Sequence, residues 1–296
     1  MVNTRILEQR LGWKASADGE ETTPEVRPIS HGPVLQGRVN TSAGLVQQRG
    51  NRRAAVQDLW DRLPDISAYA GMARHSRFIP DFDKGSLAGT VFDQLRTQLL
   101  RVAKTNGWRR IGITSPMRGA GRSFVAAGLA TSIARLDTTT VLLLDADLEE
   151  AGLANLLGVD AAGALEPVLM GDAEAEGVMQ RWGANLALVL NDEPVHDASE
   201  LMYTPEAVMA LRGIIDALQP NLVIVDMPPL LSDAVAPSLF GQLDAVFLVS
   251  DGLKTRPSDI IECERILEGQ VPLLGIVLNK SEDPDPRPRA RRTARR

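Results

Sequence analysis

The stretch that most constrains this chain runs from Ile111 to Arg135. Residues 111–114 read as a short apolar strand, 116–121 as a loop and 124–135 as an alanine-rich helix. A strand that turns straight into a helix sets the helix's unpaired N–H groups and positive end at the strand's carboxyl edge. Gly119-Ala120-Gly121-Arg122-Ser123 occupies that junction. Glycines there let the backbone curl until several N–H groups point at one anion, and the Ser123 hydroxyl is placed to ligate Mg2+. Gly119, Ala120, Gly121, Arg122, Ser123 and Phe124 are therefore the candidate nucleotide contacts. An ordinary glycine turn could use the same residues, and the loop departs from G-x-x-x-x-G-K-[ST] in two places. No glycine stands at Ser115 or Pro116, and the lysine's place is taken by Arg122. A planar, forked guanidinium is a poor replacement for a compact ammonium tucked against phosphates.

The remainder predicts an α/β fold, a mostly parallel sheet with helices on both faces. Apolar strands at 141–145, 186–190, 221–225, 245–250 and 273–278 alternate with helical stretches at 153–157, 165–170, 205–218 and 259–267. A helix capped by Ser86, with Val91, Leu95, Gln98, Leu99 and Val102 on one face, precedes them. Strands that are apolar throughout are covered on both sides, and such sheets bind ligands beyond their carboxyl ends. Two strands end there in acid, one in Asp145-Ala146-Asp147 and the other in Asp226. An Asp at a strand end is usually a loop cap. Three of them on two buried strands, downstream of a glycine loop, also suit metal handling and proton transfer. Asn279, just past the last strand, can read an adenine edge through its amide.

The order and spacing of these motifs resemble the cytoplasmic bacterial tyrosine kinases of capsule and exopolysaccharide systems, a branch of the MinD/ParA-like P-loop group. The matching residues are Leu95–Leu99, Thr114–Ser123, Val141–Leu148, Val223–Pro229 and Gly275–Lys280, within about residues 88–281. The resemblance implies ATP and Mg2+ as cofactors. It gives Arg122 the place of the phosphate-binding lysine, with a catalytic role, and Asp145 the action on the attacking hydroxyl. Mg2+ falls to Ser123, Asp147 and Asp226, and adenine to Asn279. It implies a membrane polysaccharide co-polymerase or chain-length regulator as partner, and assembly of the chain with its own copies.

The departures imply a degenerate member. The family's C-terminal tyrosine cluster is missing, since the chain holds only Tyr69 and Tyr203. The ring-forming Glu-x-x-Arg-x-x-Arg pattern falls on Thr90, Asp93 and Arg96. Glu149-Glu150 stands where the family has a basic pair, and Met117 where MinD/ParA proteins have a signature lysine, with Arg118 one residue later. The expected function is ATP binding in exopolysaccharide or capsule biosynthesis or export, with impaired transfer. If active, the chain would be a Mg-ATP-dependent protein-tyrosine kinase or ATPase. The alternative is a ParA/MinD-like ATPase that binds membrane or DNA through a basic tail.

That tail occupies 282–296, where residues 287–296 carry six Arg and no acid in a chain of net charge −6. Such a tail suggests an anionic partner, with nucleic acid the less favoured one. Residues 1–85 read as a disordered arm, too poor in sustained apolar pattern to offset their ordering entropy. The exception is a helix at 53–63, where Ala54, Val56, Leu59, Trp60 and Leu63 share one face. It could dock on the main domain, on a partner or nowhere. The main ATP-binding domain is expected over 86–281. One cysteine, Cys263, excludes an intrachain disulfide. No apolar run approaches the ~20 residues of a membrane span. These features predict a cytoplasmic protein, peripheral at the inner membrane.

Overall fold

The computed structural model describes residues 42–69, 82, 85–150, 152–191 and 193–281. The disorder expected for the first part of the arm and for the basic tail lies outside these residues.

Seven strands form one sheet: β1 (Arg110–Thr114), β2 (Val141–Asp145), β3 (Met179–Trp182), β4 (Leu186–Val189), β5 (Leu222–Asp226), β6 (Ala245–Asp251) and β7 (Leu273–Asn279). Their order is β3-β4-β2-β5-β1-β6-β7, parallel except for β3 against β4. Side chains of β2 alternate between the faces. Leu142 and Leu144 enter one core and Val141 and Leu143 the other, all of them buried. Burying each such side chain is worth about 1.5–3 kcal/mol. The first core is covered by α1 (Ser42–Arg62), α5 (Leu165–Met170), α7 (Pro205–Leu218) and α8 (Pro257–Leu267). The second lies under α2 (Leu87–Asn106), α3 (Arg122–Ala134) and α4 (Gly152–Leu157). A short α6 (Ala198–Met202) precedes α7.

The expected mostly parallel sheet with helices on both faces is the observed one, with one strand added. β3 escapes a search for apolar runs because it is four residues long and carries Gln180 and Arg181. The opening helix is set by chemistry at both ends. Ser86 Oγ accepts a hydrogen bond from the Gly89 N–H at 2.9 Å, and Gly107 closes the helix at φ 70°.

The helix read at 53–63 is longer, running over Ser42–Arg62, and it is docked rather than free. Its apolar face ends in Leu59, Trp60 and Leu63, all buried in the first core. The Trp60 indole N–H donates to the Leu218 carbonyl at the end of α7, at 2.8 Å. The chain then runs beside β3, where Ile66 N donates to the Arg181 carbonyl and Arg181 N to the Pro64 carbonyl. An Asp65–Arg181 ion pair at 2.8 Å holds this stretch. Residues 42–69 of the arm thus contribute to the fold, which corrects the reading of that part as disordered. The pattern underrated it because residues 50–58 are largely exposed and only the last turn is buried.

Candidate functional site

The glycine loop lies between β1 and α3, beyond the carboxyl ends of the central strands. Gly119 and Gly121 take φ 80° and 95°, left-handed values that favour glycine. Gly121 is the N-cap of α3, so the first N–H groups of this helix stay without intrahelical partners. Ser115 and Pro116 are tied to the loop after β5 through their carbonyls, which accept from Leu230 N at 2.8 Å and Leu231 N at 3.1 Å.

The carboxylates converge beneath it. Asp145 and Asp226 are register partners on β2 and β5, and both are almost fully buried. Asp145 Oδ2 and both Asp226 carboxylate oxygens have no hydrogen-bond partner. Burial pushes the Asp145 carboxyl well above the usual carboxylate range, with Asp226 and Asp147 adding repulsion. Burial likewise lifts Asp226 to about 7, against the pull of Arg122 and of the nearby Ser123 hydroxyl, which does not reach hydrogen-bond geometry. Buried polar atoms are almost always satisfied, so three orphaned oxygens at one spot call for a partner.

That spot offers hard oxygen donors. No three His, Cys, Asp or Glu side chains among the described residues form a metal-ligand group. Mg2+, however, is held by one or two carboxylates together with water and phosphate oxygens. Asp226, Asp145 and the Ser123 hydroxyl fit that requirement.

Arg122, at the place of the loop cation, is committed to protein partners. It is 4% exposed and turned inward. Its Nε donates to the Met227 carbonyl at 2.8 Å, one terminal nitrogen to Ser115 Oγ at 3.2 Å and the other to Asp147 at 2.5 Å. Asp147, read as a metal-handling residue, also holds a buried ion pair with Arg122. Burial raises its carboxyl, opposed by Arg122 and Arg118.

Arg118 is the second guanidinium. It reaches Asp147 at 3.3 Å, Glu150 at 3.1 Å, Glu149 at 2.7 Å and Asp233 at 2.8 Å. The acids at 149 and 150, reversed in sign from the resembled family, therefore have a local cation. Asp233 had no sequence signal, since it is one Asp in a loop; only folding brings it to Arg118.

Two expected contacts stand differently. Asn279 donates its amide to the Ala120 carbonyl at 2.9 Å, so that donor supports the loop instead of facing outward. Phe124 directs its ring into an aromatic cluster, 5.3 Å from Phe82 and 5.5 Å from Phe92 by ring centroids. Its side chain is a packing element, and only its backbone N–H remains at the helix start. The loop, Ser123, Asp145, Asp147, Asp226 and Asn279 are brought to one place. Lys280, unread in the sequence beside Asn279, joins them by reaching the Gly119 carbonyl with its ammonium.

With this geometry in view, the chain is similar to EpsB of Ralstonia nicotianae, a protein assigned by inference as a tyrosine-protein kinase. The identity is 30% over 187 residues, 62% of this chain and 24% of EpsB. It is similar to the succinoglycan biosynthesis transport protein ExoP of Rhizobium meliloti, 24% identical over 86% of this chain and 32% of ExoP. Its fold matches the kinase domain of the Escherichia coli tyrosine kinase ETK with a TM-score of 0.57 and 25% identity, over 65% of this chain and 76% of that domain. The chain spans about a quarter of the length of the first of these relatives. No protein-family model matches it.

Proposed function

We propose that this chain, which resembles the bacterial tyrosine-protein kinases, binds Mg2+–ATP between its glycine loop and the carboxylates of β2 and β5, and transfers phosphate poorly. The observation that carries the reading is the set of orphaned oxygens on Asp145 and Asp226, buried beside a glycine loop that opens a helix with no side-chain cap. The Ala120–Phe124 backbone would hold the phosphates, and Ser123 and Asp226 would hold the metal, with Asp147 acting through water. Mg2+, when bound, neutralises charge on the β- and γ-phosphate oxygens. Asp145 would be the base for an attacking hydroxyl, since its carboxylate stands at the end of β2 beside Asp226 with Oδ2 unpaired.

Impairment is supported by Arg122. Phosphoryl transfer is mostly positioning plus charge stabilisation. A guanidinium committed to Met227, Ser115 and Asp147 is withdrawn from that task. Arg96 gives similar support at the family's ring contact. It is tied to Asp93 at 2.9 Å and to the Ser132 carbonyl at 2.7 Å, so homo-oligomers would need another surface.

The biological setting follows from the relatives' names. ExoP is named for succinoglycan biosynthesis and transport. These names support a role for the chain in exopolysaccharide biosynthesis, and the proposed partner is a membrane polysaccharide co-polymerase. No helix among the described residues is long and apolar enough to cross a membrane. The test is titration with a fluorescent ADP analogue, with Mg2+ and with chelator, followed by labelled ATP. Mg2+-dependent binding with little or no label on protein tyrosine is expected. Binding that ignores Mg2+, or robust tyrosine labelling, would contradict the proposal.

A further inference from the structure

We infer that Asn279 and Lys280 are positioning residues that set the peptide planes of the glycine loop, turning two of its N–H groups toward the anion. The inference deepens the nucleotide reading and rests on it.

It starts from the planar trans peptide, in which a carbonyl and the next residue's N–H point in opposite directions. No cis peptide occurs among the described residues. The Ala120 carbonyl accepts from the Asn279 amide at 2.9 Å, and the Gly119 carbonyl accepts from the Lys280 ammonium. Both carbonyls therefore point to the end of β7. The N–H groups of Gly121 and Ala120, which belong to the same two peptide units, point away from it. In the sheet order β7 and β6 lie on one side of β1, and β5 and β2, with their carboxylates, on the other. Consecutive N–H groups turned to one side form the kind of concavity that binds anions.

Three details show that this contact is specified. A Cβ on Gly121 would sit 2.2 Å from the Asn279 amide nitrogen, and Gly121 holds φ 95°, so a larger residue there would have to displace Asn279 and strain the loop. Lys280 itself holds φ 54°, a left-handed value that costs a non-glycine residue energy. That conformation is braced, because Lys280 Nζ also lies 3.4 Å from Asp251 Oδ2 and the Gly252 N–H donates to the Asn279 carbonyl at 2.8 Å. The consequence is larger here than in a loop with an outward lysine. With Arg122 buried, anion binding depends mainly on N–H groups, and their aim depends on these two side chains.

The test uses the full chain with Lys280→Met and Lys280→Arg. Lys280 is 44% exposed at its side chain, so neither change empties the core. ADP, pyrophosphate and adenosine are titrated in Mg2+ buffer, and the amide NMR signals of Ala120 and Gly121 are followed. Losing one loop anchor should weaken ADP and pyrophosphate alike by about tenfold. Adenosine binding should be unchanged, the two amide signals should move, and Lys280→Arg should restore both. An equal loss for adenosine would make Lys280 a base contact and overturn the inference. So would undiminished ADP and pyrophosphate binding, or a loss with the amide signals unmoved. If the natural chain binds neither ADP nor pyrophosphate, the nucleotide reading fails by itself. The amide signals then decide: displacement by Met but not by Arg upholds the positioning role, and no displacement ends it.

Discussion

At the scale of single residues, Asp226 and Arg122 set opposite demands. Asp226 is a buried carboxyl with no partner, raised to about 7 chiefly by burial. A carboxyl whose folded value is raised favours folding while it is protonated, and that contribution fades as pH climbs through the folded value. The ligand-free protein should thus lose Asp226-linked stability between about pH 4 and pH 7. Asp226→Asn should raise the thermal midpoint at pH 8, have little effect at pH 4 and abolish Mg2+–nucleotide binding. Melting scans at the two pH values check it. Arg122→Ala should do the reverse, costing at most about 3–5 kcal/mol in denaturant titrations, because it leaves the buried Asp147 with only the longer Arg118 contact at 3.3 Å. Gly121→Ala should destabilise through its φ of 95° and its approach to Asn279. A second change, Asn279→Ala, should recover only the part due to the clash, about 1 kcal/mol of coupling in a double-mutant cycle.

The residue types of the site were legible in the sequence, because loop glycines and strand-end aspartates follow from local rules. Their engagement was not. Whether Arg122 faces phosphate or Asp147 depends on the depth of a pocket built by β2 and β5, which lie 20 and 100 residues further on. Asn279 was read for its amide's chemistry, but the identity of the acceptor needed the loop in place. Phe124 was drawn into the site by its position at the helix start, whereas its ring follows the apolar demand of Phe82 and Phe92.

At the scale of elements, runs of buried aliphatic residues made six of the seven strands readable. The antiparallel β3 and the full length of α1 went unread because their stabilisation comes from distant partners. α1 is held through its last turn, where Leu59, Trp60 and Leu63 enter the core and Trp60 reaches Leu218. Trp60→Ala should cost about 3 kcal/mol and speed hydrogen exchange across residues 50–62. ADP affinity should stay the same, since this contact lies at the end of α7 and no residue of the loop or carboxylate site takes part in it. A fall in affinity would show that α1 and the nucleotide site are coupled.

At the scale of the whole molecule, the sheet order divides the labour. β1 supplies the anion loop, β2 and β5 supply the carboxylates, and β7 braces the loop from the other side. The mouth collects Asp145, Asp147, Glu149, Glu150, Asp226 and Asp233 around two arginines. So acidic a mouth admits a polyphosphate only along with its divalent cation, which makes Mg2+ dependence the plainest mark of the account. The most direct measurement is calorimetric titration of ADP into the natural chain and into Asp226→Asn, each with and without Mg2+. Micromolar binding is predicted for the natural chain with Mg2+, and none without the metal or without Asp226. Equal affinity under all four conditions, or no binding by the natural chain at millimolar ADP, would contradict it.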